Sequence, residues 1–160
     1  MSTPYPVNLN LSGRSALVVG AGAVAARKVQ GLLAAGARIT VVAPEAVPEL
    51  VEAADRGTVR WHQRTYRRGE VASYRLAVAA TGDPAVNGQV YWDAEAAGIW
   101  LNAADDPARC SFTLPAVVRR DDLQIAVSTN GRSPAVAAWL RRSLEDSIGP
   151  EHAALLTLAA

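Results

Sequence analysis

The sequence predicts an α/β fold: a parallel sheet with helices on both faces, followed by a small α+β segment. Three observations predict it. Short valine-rich runs alternate with alanine- and leucine-rich helical segments from residue 12 to residue 105. The tripeptide Gly20-Ala21-Gly22 stands between the first such run and the first helical segment. Beyond residue 110 the alternation stops, and two strand-like segments precede one helix. Strands and helices alternating at short spacing force right-handed crossovers, and so a parallel sheet.

Each element follows from its residues. Ser15–Gly20 (SALVVG) is an apolar run ending at glycine, the mark of a strand buried on both faces. Ala23–Ala35 is helical, and Gly36 is placed to stop it. Arg38–Ala43 (RITVVA) is the second strand, closed by Pro44, and Val47–Ala54 is a helix ended near Gly57. Val59–Gln63 is a weaker strand, because polar residues flank Trp61. Leu76–Ala80 and Ile99–Ala103 are buried strands on either side of a helix over Pro84–Ala97, with proline in its first turn and Gly98 at its end. Phe112–Ala116 and Leu123–Ser128 read as strands joined by the charged turn Arg119-Arg120-Asp121-Asp122. A helix from Ser133 to about Ile148 follows. The expected organisation is a nucleotide-binding domain over 1–110, a dimerisation segment over 111–150 and the start of a helical tail, cut short, over 151–160.

Composition excludes several function classes. Sixteen basic residues face fifteen acidic ones, so global charge argues for neither nucleic-acid nor membrane binding. Cys110 is the single cysteine, which rules out an internal disulfide or a cysteine-built zinc site. His62 and His152 have no metal-ligand spacing, so no metal site is expected. No apolar run is long enough to span a bilayer, and Met1–Leu11 does not read as a signal peptide, so a cytoplasmic protein is expected.

Gly20-Ala21-Gly22-Ala23-Val24-Ala25 fits G-x-G-x-x-A, and its place between strand and helix gives it weight. Gly20 permits the tight turn, Gly22 lets a pyrophosphate approach the backbone, and Ala25 allows close packing of helix on strand. The free N–H groups of the new helix then face the phosphates. This is the Rossmann arrangement for a dinucleotide. An acid near the end of the second strand holds the ribose hydroxyls in such sites. Glu45, just past Pro44, is the candidate, and no arginine stands there to receive a 2′-phosphate, which favours NAD over NADP.

NLNLSGR (Asn8–Arg14) leads into LVVGAGAVAARKV (Leu17–Val29), and AATGDPAVN (Ala79–Asn87), NAADDP (Asn102–Pro107), SFTLPA (Ser111–Ala116) and STNGRSP (Ser128–Pro134) follow. This set, in this order, resembles the precorrin-2 dehydrogenase (sirohydrochlorin synthase) family over nearly the whole chain. Some members of that family also act as ferrochelatases, and some are fused to a methyltransferase. The resemblance implies an NAD-binding Rossmann domain, an intertwined homodimer and oxidation of the tetrapyrrole precorrin-2 to sirohydrochlorin. It implies that Asp105, in the motif N-x-x-D, is the catalytic acid, and that Ala23, Val24, Pro44 and Glu45 contact the nucleotide. Thr81 and Asn102, in neighbouring motifs, are expected on the cofactor side as well.

A carboxylate such as Asp105 can accept the proton that accompanies loss of a hydride to nicotinamide. Asp106, just before Pro107, reads instead as a turn residue. A polycarboxylate substrate calls for cations, and residues 107–142 hold six arginines against two acids. Arg109 and Arg132 are the substrate candidates among them. The Arg119-Arg120 and Arg141-Arg142 pairs read as surface. Ser128, Thr129 and Ser133 offer hydroxyls to an anion, although N-capping alone accounts for Ser133 and Pro134. Arg109 could lower the pKa of the neighbouring Cys110 thiol. On the residues alone, two other readings stay open: a non-catalytic NAD-sensing module, which needs only the glycine loop, and a chelatase with a vestigial NAD site.

Overall fold

The computed structural model describes residues 4–159; Met1–Thr3 and Ala160, at the ends of the expected domains, lie outside the described residues. The chain forms two compact units, one over Val7–Phe112 and one from Thr113 onward that includes residues 4–6.

The first unit is a five-stranded sheet of β1 (Ser15–Val19), β2 (Arg38–Ala43), β3 (Arg60–Gln63), β4 (Leu76–Ala79) and β5 (Trp100–Ala103). All four pairings are parallel and the order is β3-β2-β1-β4-β5. Direction of winding reverses between β1 and β4, so their carboxyl ends form the crevice where open α/β sheets bind ligands. Leu17, Val18, Val19, Val41 and Val42 are fully buried, as a strand covered on both faces requires. One face packs under α1 (Ala23–Ala34) and α2 (Pro48–Asp55) through Ala25, Ala26, Val29, Leu50 and Ala53. The other packs under α3 (Pro84–Ala97) through Val90 and Ala94.

Local chemistry sets the ends of these helices. Asp83 caps α3, its carboxylate accepting from the N–H of Ala85 at 2.8 Å, with Pro84 at the first helical position. At the end of α1, Gly36 has φ of 74°, its N–H bonds the Leu33 carbonyl, and the Ala37 N–H bonds that of Leu32. This is a Schellman ending. A 3₁₀ turn over Glu70–Ser73, unexpected from the sequence, buries Val71 before β4. Its Glu70 carboxylate accepts two hydrogen bonds from Arg64, at 2.9 and 2.6 Å.

In the second unit, β6 (Ala116–Arg120) and β7 (Leu123–Val127) form an antiparallel hairpin, followed by α4 (Pro134–Ser147) and α5 (Pro150–Ala159). The first of these strands corrects the expectation of Phe112–Ala116. Pro115 has no N–H for a ladder, and Phe112 packs against the core of the first unit's sheet instead. Val117 and Val118, both β-branched, carry the strand, and the turn shrinks to Asp121-Asp122, with Asp121 at φ 52°. Arg120 is therefore no mere surface residue. Its guanidinium donates to the carbonyls of Ile148 and Glu145, each at 2.9 Å, closing the end of α4. Arg141 pairs with Glu145 one turn on. Among the described residues, no helix is long and apolar enough to cross a membrane.

Candidate active site

The glycine loop follows β1 directly. Gly20 has φ of 101°, and a Cβ there would fall on the Ala80 carbonyl, with its carbon 2.6 Å away and the Thr81 nitrogen at 2.9 Å. Only glycine lets β1 and the end of β4 approach so closely. Gly22 differs. Its φ is −81°, and a Cβ would meet nothing within 4 Å, so open space lies in front of its backbone. Gly22 caps α1 with no side-chain hydrogen bond, and the first turn of α1 holds no acid. The first turn's helical ladder begins only at the Ala26 N–H, which bonds Gly22 at 2.9 Å. The N–H groups of Ala23, Val24 and Ala25 thus face outward with the positive end of the helix dipole. These features fit the pyrophosphate of a dinucleotide. Pro44 and Glu45 are exposed at the end of β2, the position of a ribose-binding acid. A groove of about 690 Å³ lies between α1 and the start of α2, lined by Ala23, Arg27, Gln30, Val47 and Glu49 among others.

The second element of the site is the loop after β5. The Ala104 N–H extends the parallel ladder to the Ala79 carbonyl at 2.8 Å, and the chain then turns at Asp105. Asp105 has φ of 62°, a left-handed conformation costing about 1 kcal/mol for a residue with a side chain. Side chains hold that turn. Cys110 Sγ accepts from the Ala103 N–H at 3.2 Å and lies 3.2 Å from the Ala103 carbonyl, to which its S–H donates. Ser111 closes the base of the loop through its N–H to the Leu101 carbonyl at 2.8 Å and its Oγ to the Leu101 N–H at 3.0 Å. Burial pushes the Cys110 thiol up, and the nearby Asp106 adds to the rise. That corrects the expectation of an arginine-activated thiol: burial dominates, the cation that opposes it is Lys28 rather than Arg109, and the sulfur is a clamp.

Asp105 and α1 meet in one pocket of about 350 Å³, lined by Val24, Arg27, Lys28, Ala104 and Asp105. Lys28 was not singled out by sequence reasoning. Its burial lowers its pKa, opposed by the proximity of Cys110 and, further down, of Asp105. Asp106 lies outside this lining, and its carboxylate stands 3.6 Å from Arg109.

The other expected site residues are placed as follows. Thr81 follows β4 beside Gly20, and its Oγ1 donates to Asn87 Oδ1 at 2.8 Å. Asn102 is only 6% exposed. Its Nδ2 donates to the Phe112 carbonyl at 3.1 Å, and its Oδ1 has no partner among the described residues. The Arg109 guanidinium lies over the Tyr91 ring at 5.8 Å, away from the Asp105 pocket lining. In the second unit, Ser133 Oγ accepts from the Val136 N–H at 3.2 Å, Thr129 Oγ1 donates to the Ser133 carbonyl at 3.0 Å, and Ser128 Oγ accepts from the Asn130 N–H at 3.2 Å. Ser128 and Ser133 thus only accept within their loop, Thr129 gives its proton to the Ser133 carbonyl, and Arg132 is exposed.

Comparison with known proteins agrees with this layout. Residues 7–116 match the family model described as putative NAD(P)-binding, and residues 120–147 match that of the sirohaem biosynthesis protein central region. The chain is 43% identical over 155 residues to the siroheme synthase of Nitrosococcus oceani, covering 97% of this chain and 33% of that one. Siroheme synthase 1 of Aeromonas salmonicida is 42% identical over 147 residues, covering 92% of this chain and 31% of that one. The chain thus spans about a third of the length of the curated relatives it matches. The solved structure of SirC, precorrin-2 dehydrogenase, superposes with a TM-score of 0.79 at 33% identity, over 92% of this chain and 72% of that one. The α/β fold and its appended hairpin unit are shared with that structure. With one family model matched through the whole glycine-loop unit and a second through the unit that follows it, the chain belongs to the NAD-binding precorrin-2 dehydrogenase family of sirohaem synthesis.

Proposed function

We propose that this chain oxidises precorrin-2 to sirohydrochlorin, with NAD as acceptor and Asp105 as the base. One observation carries the reading: Asp105 and Val24 line the same pocket, so the acid and the dinucleotide-binding turn share one crevice. Bound NAD supplies the acceptor for the hydride that leaves the substrate carbon. The substrate loses two electrons and two hydrogens, one as hydride and the other as a proton, and the Asp105 carboxylate takes the proton. The N–H groups of Ala23 and Val24 hold the pyrophosphate and Gly20 and Gly22 leave room for it, while Pro44 and Glu45 meet the ribose. Thr81 and Asn102 support the cofactor side from the ends of β4 and β5. Glu45 would repel a 2′-phosphate, which favours NAD over NADP. Arg109, Ser128, Thr129, Arg132 and Ser133 are assigned to the substrate's carboxylates.

On this reading the chain comprises an NAD-binding domain over 1–110, a dimerisation segment over 111–150 and a helical segment over 151–160. It makes the protein a homodimer in the cytoplasm, where Cys110 stays reduced. Support for the dimer comes from α4, where Trp139 is 58% and Val136 45% exposed in the single chain. Apolar faces of this kind are covered by partners. A monomer in sedimentation at micromolar concentration would contradict the dimer.

The test is to mix the purified protein with precorrin-2 and NAD. NADH and the sirohydrochlorin spectrum should rise together, mole for mole. Tight NAD binding without turnover would instead favour the sensing module. Adding ferrous iron as substrate to the same mixture reads whether metal insertion accompanies oxidation.

A further inference from the structure

The chain uses arginine for fifteen of its sixteen cationic side chains, and its one lysine, Lys28, lines the Asp105 pocket. Lysine is a compact, freely rotating point charge with three donors, unlike the planar fork of arginine. Its neighbour Arg27 lines the same pocket. Both stand in the second turn of α1. Among the described residues neither makes an ion pair or a side-chain hydrogen bond. Lys28 is half-buried, and that burial lowers its pKa. A cation that is partly desolvated and unpaired is a local conflict of the kind that functional sites keep.

We infer that Lys28, with Arg27 beside it, is the carboxylate-recognition point of this pocket, pairing with an acid side chain of the tetrapyrrole and holding one edge of the macrocycle over Asp105. The inference rests on the dehydrogenase reading above. Helical geometry supports it. Val24 and Lys28 are four residues apart and share one face of α1, and helical side chains lean back toward the amino terminus. The ammonium is thereby carried toward the level of Val24, on the stripe that meets Ala104 and Asp105. The cofactor's pyrophosphate has its own receptor in the free N–H groups after Gly22. Lys28 lines the Asp105 pocket and not the groove between α1 and α2, which Ala23 lines. A pocket of about 350 Å³ is at the small end for ligand sites, suited to one ring and its acid side chains rather than a whole macrocycle.

The test measures the affinity of the full chain for sirohydrochlorin by absorbance titration and for NAD by calorimetry. Lys28→Met should weaken sirohydrochlorin binding by roughly tenfold or more, the range for hydrogen bonds to charged groups. NAD affinity should be unchanged, which also shows that the variant folds. Lys28→Arg, which keeps the charge, should regain most of the loss. Independently, reductive methylation with ¹³C-formaldehyde labels the one lysine, and its signal, identified by its loss in Lys28→Arg, should shift with sirohydrochlorin and not with NAD. Equal sirohydrochlorin affinity in wild type and Lys28→Met would overturn the inference and leave the dehydrogenase reading intact. Loss of NAD affinity in Lys28→Met would assign the lysine to the cofactor instead. Failure of the unaltered protein to bind sirohydrochlorin at all would sink the tetrapyrrole reading, and this inference with it.

Discussion

Two loops leave the carboxyl edge of the same sheet, and they are built by different means. The loop after β1 is shaped by what its residues lack: no Cβ at Gly20, where one would strike Ala80, and none at Gly22, where space is left open. The loop after β5 is shaped by what its residues hold: the Cys110 sulfur on both backbone groups of Ala103, Ser111 on those of Leu101, and Asn102 on Phe112. The first presents backbone N–H groups and suits an anion of fixed shape. The second presents one carboxylate, that of Asp105, in a left-handed turn. A binding surface can thus be made from backbone alone, whereas aiming a single acid takes a scaffold of side chains.

Substitutions can break each loop separately. Gly20→Ala should have the largest effect, because the new methyl meets main chain rather than a flexible side chain, at a φ of 101°. It should cost roughly 3 kcal/mol or more in urea unfolding and remove NAD binding as well. Gly22→Asp should leave stability within about 0.5 kcal/mol, since its Cβ enters open space, as surface changes do. Its carboxylate should nonetheless reduce NAD affinity by roughly a hundredfold or more, through bulk and charge at the pyrophosphate position. Equal NAD affinity in calorimetry would remove the cofactor assignment. Cys110→Ala should cost about 1 to 2 kcal/mol, the penalty for leaving the Ala103 N–H unpaired. It should slow turnover more than it weakens NAD binding, because only the Asp105 loop loses its clamp. Smallest is the reactivity of the thiol itself. Burial raises its pKa, so it stays protonated at neutral pH, and maleimide labelling should become fast only above the usual thiol range. Rapid labelling at neutral pH would mean that the loop is not closed as described.

The same contrast explains what could be read from the chain. The parallel sheet, its buried strands and the dinucleotide turn were legible because glycine and valine act locally, through φ, missing Cβ atoms and two-sided burial. Asp105 was marked by motif resemblance, but its conformation was not, since that depends on Cys110 and Ser111 folding back onto β5. Lys28 was hidden for a similar reason: on the helix it is an ordinary surface-type residue, and only the return of the β5 loop gives it a pocket. The signal was present in composition, as the single lysine among arginines. In the second unit the sequence places the hairpin's second strand correctly but its first strand four residues early, with Phe112 in the ladder and Arg119-Arg120 in the turn. The reverse holds, with Arg120 closing α4.

The central claim is that Asp105, and not its neighbour, takes the proton during oxidation. Steady-state NADH formation from precorrin-2 by Asp105→Asn and Asp106→Asn tests it most directly, since the two changes are chemically identical and adjacent. Asp105 lines the pocket, whereas Asp106 sits 3.6 Å from Arg109. Asp105→Asn should lower kcat by roughly a hundredfold or more, the range for a lost general base, with NAD affinity held. Asp106→Asn should stay close to wild type. Full activity in Asp105→Asn, or the loss falling on Asp106→Asn instead, would contradict the assignment.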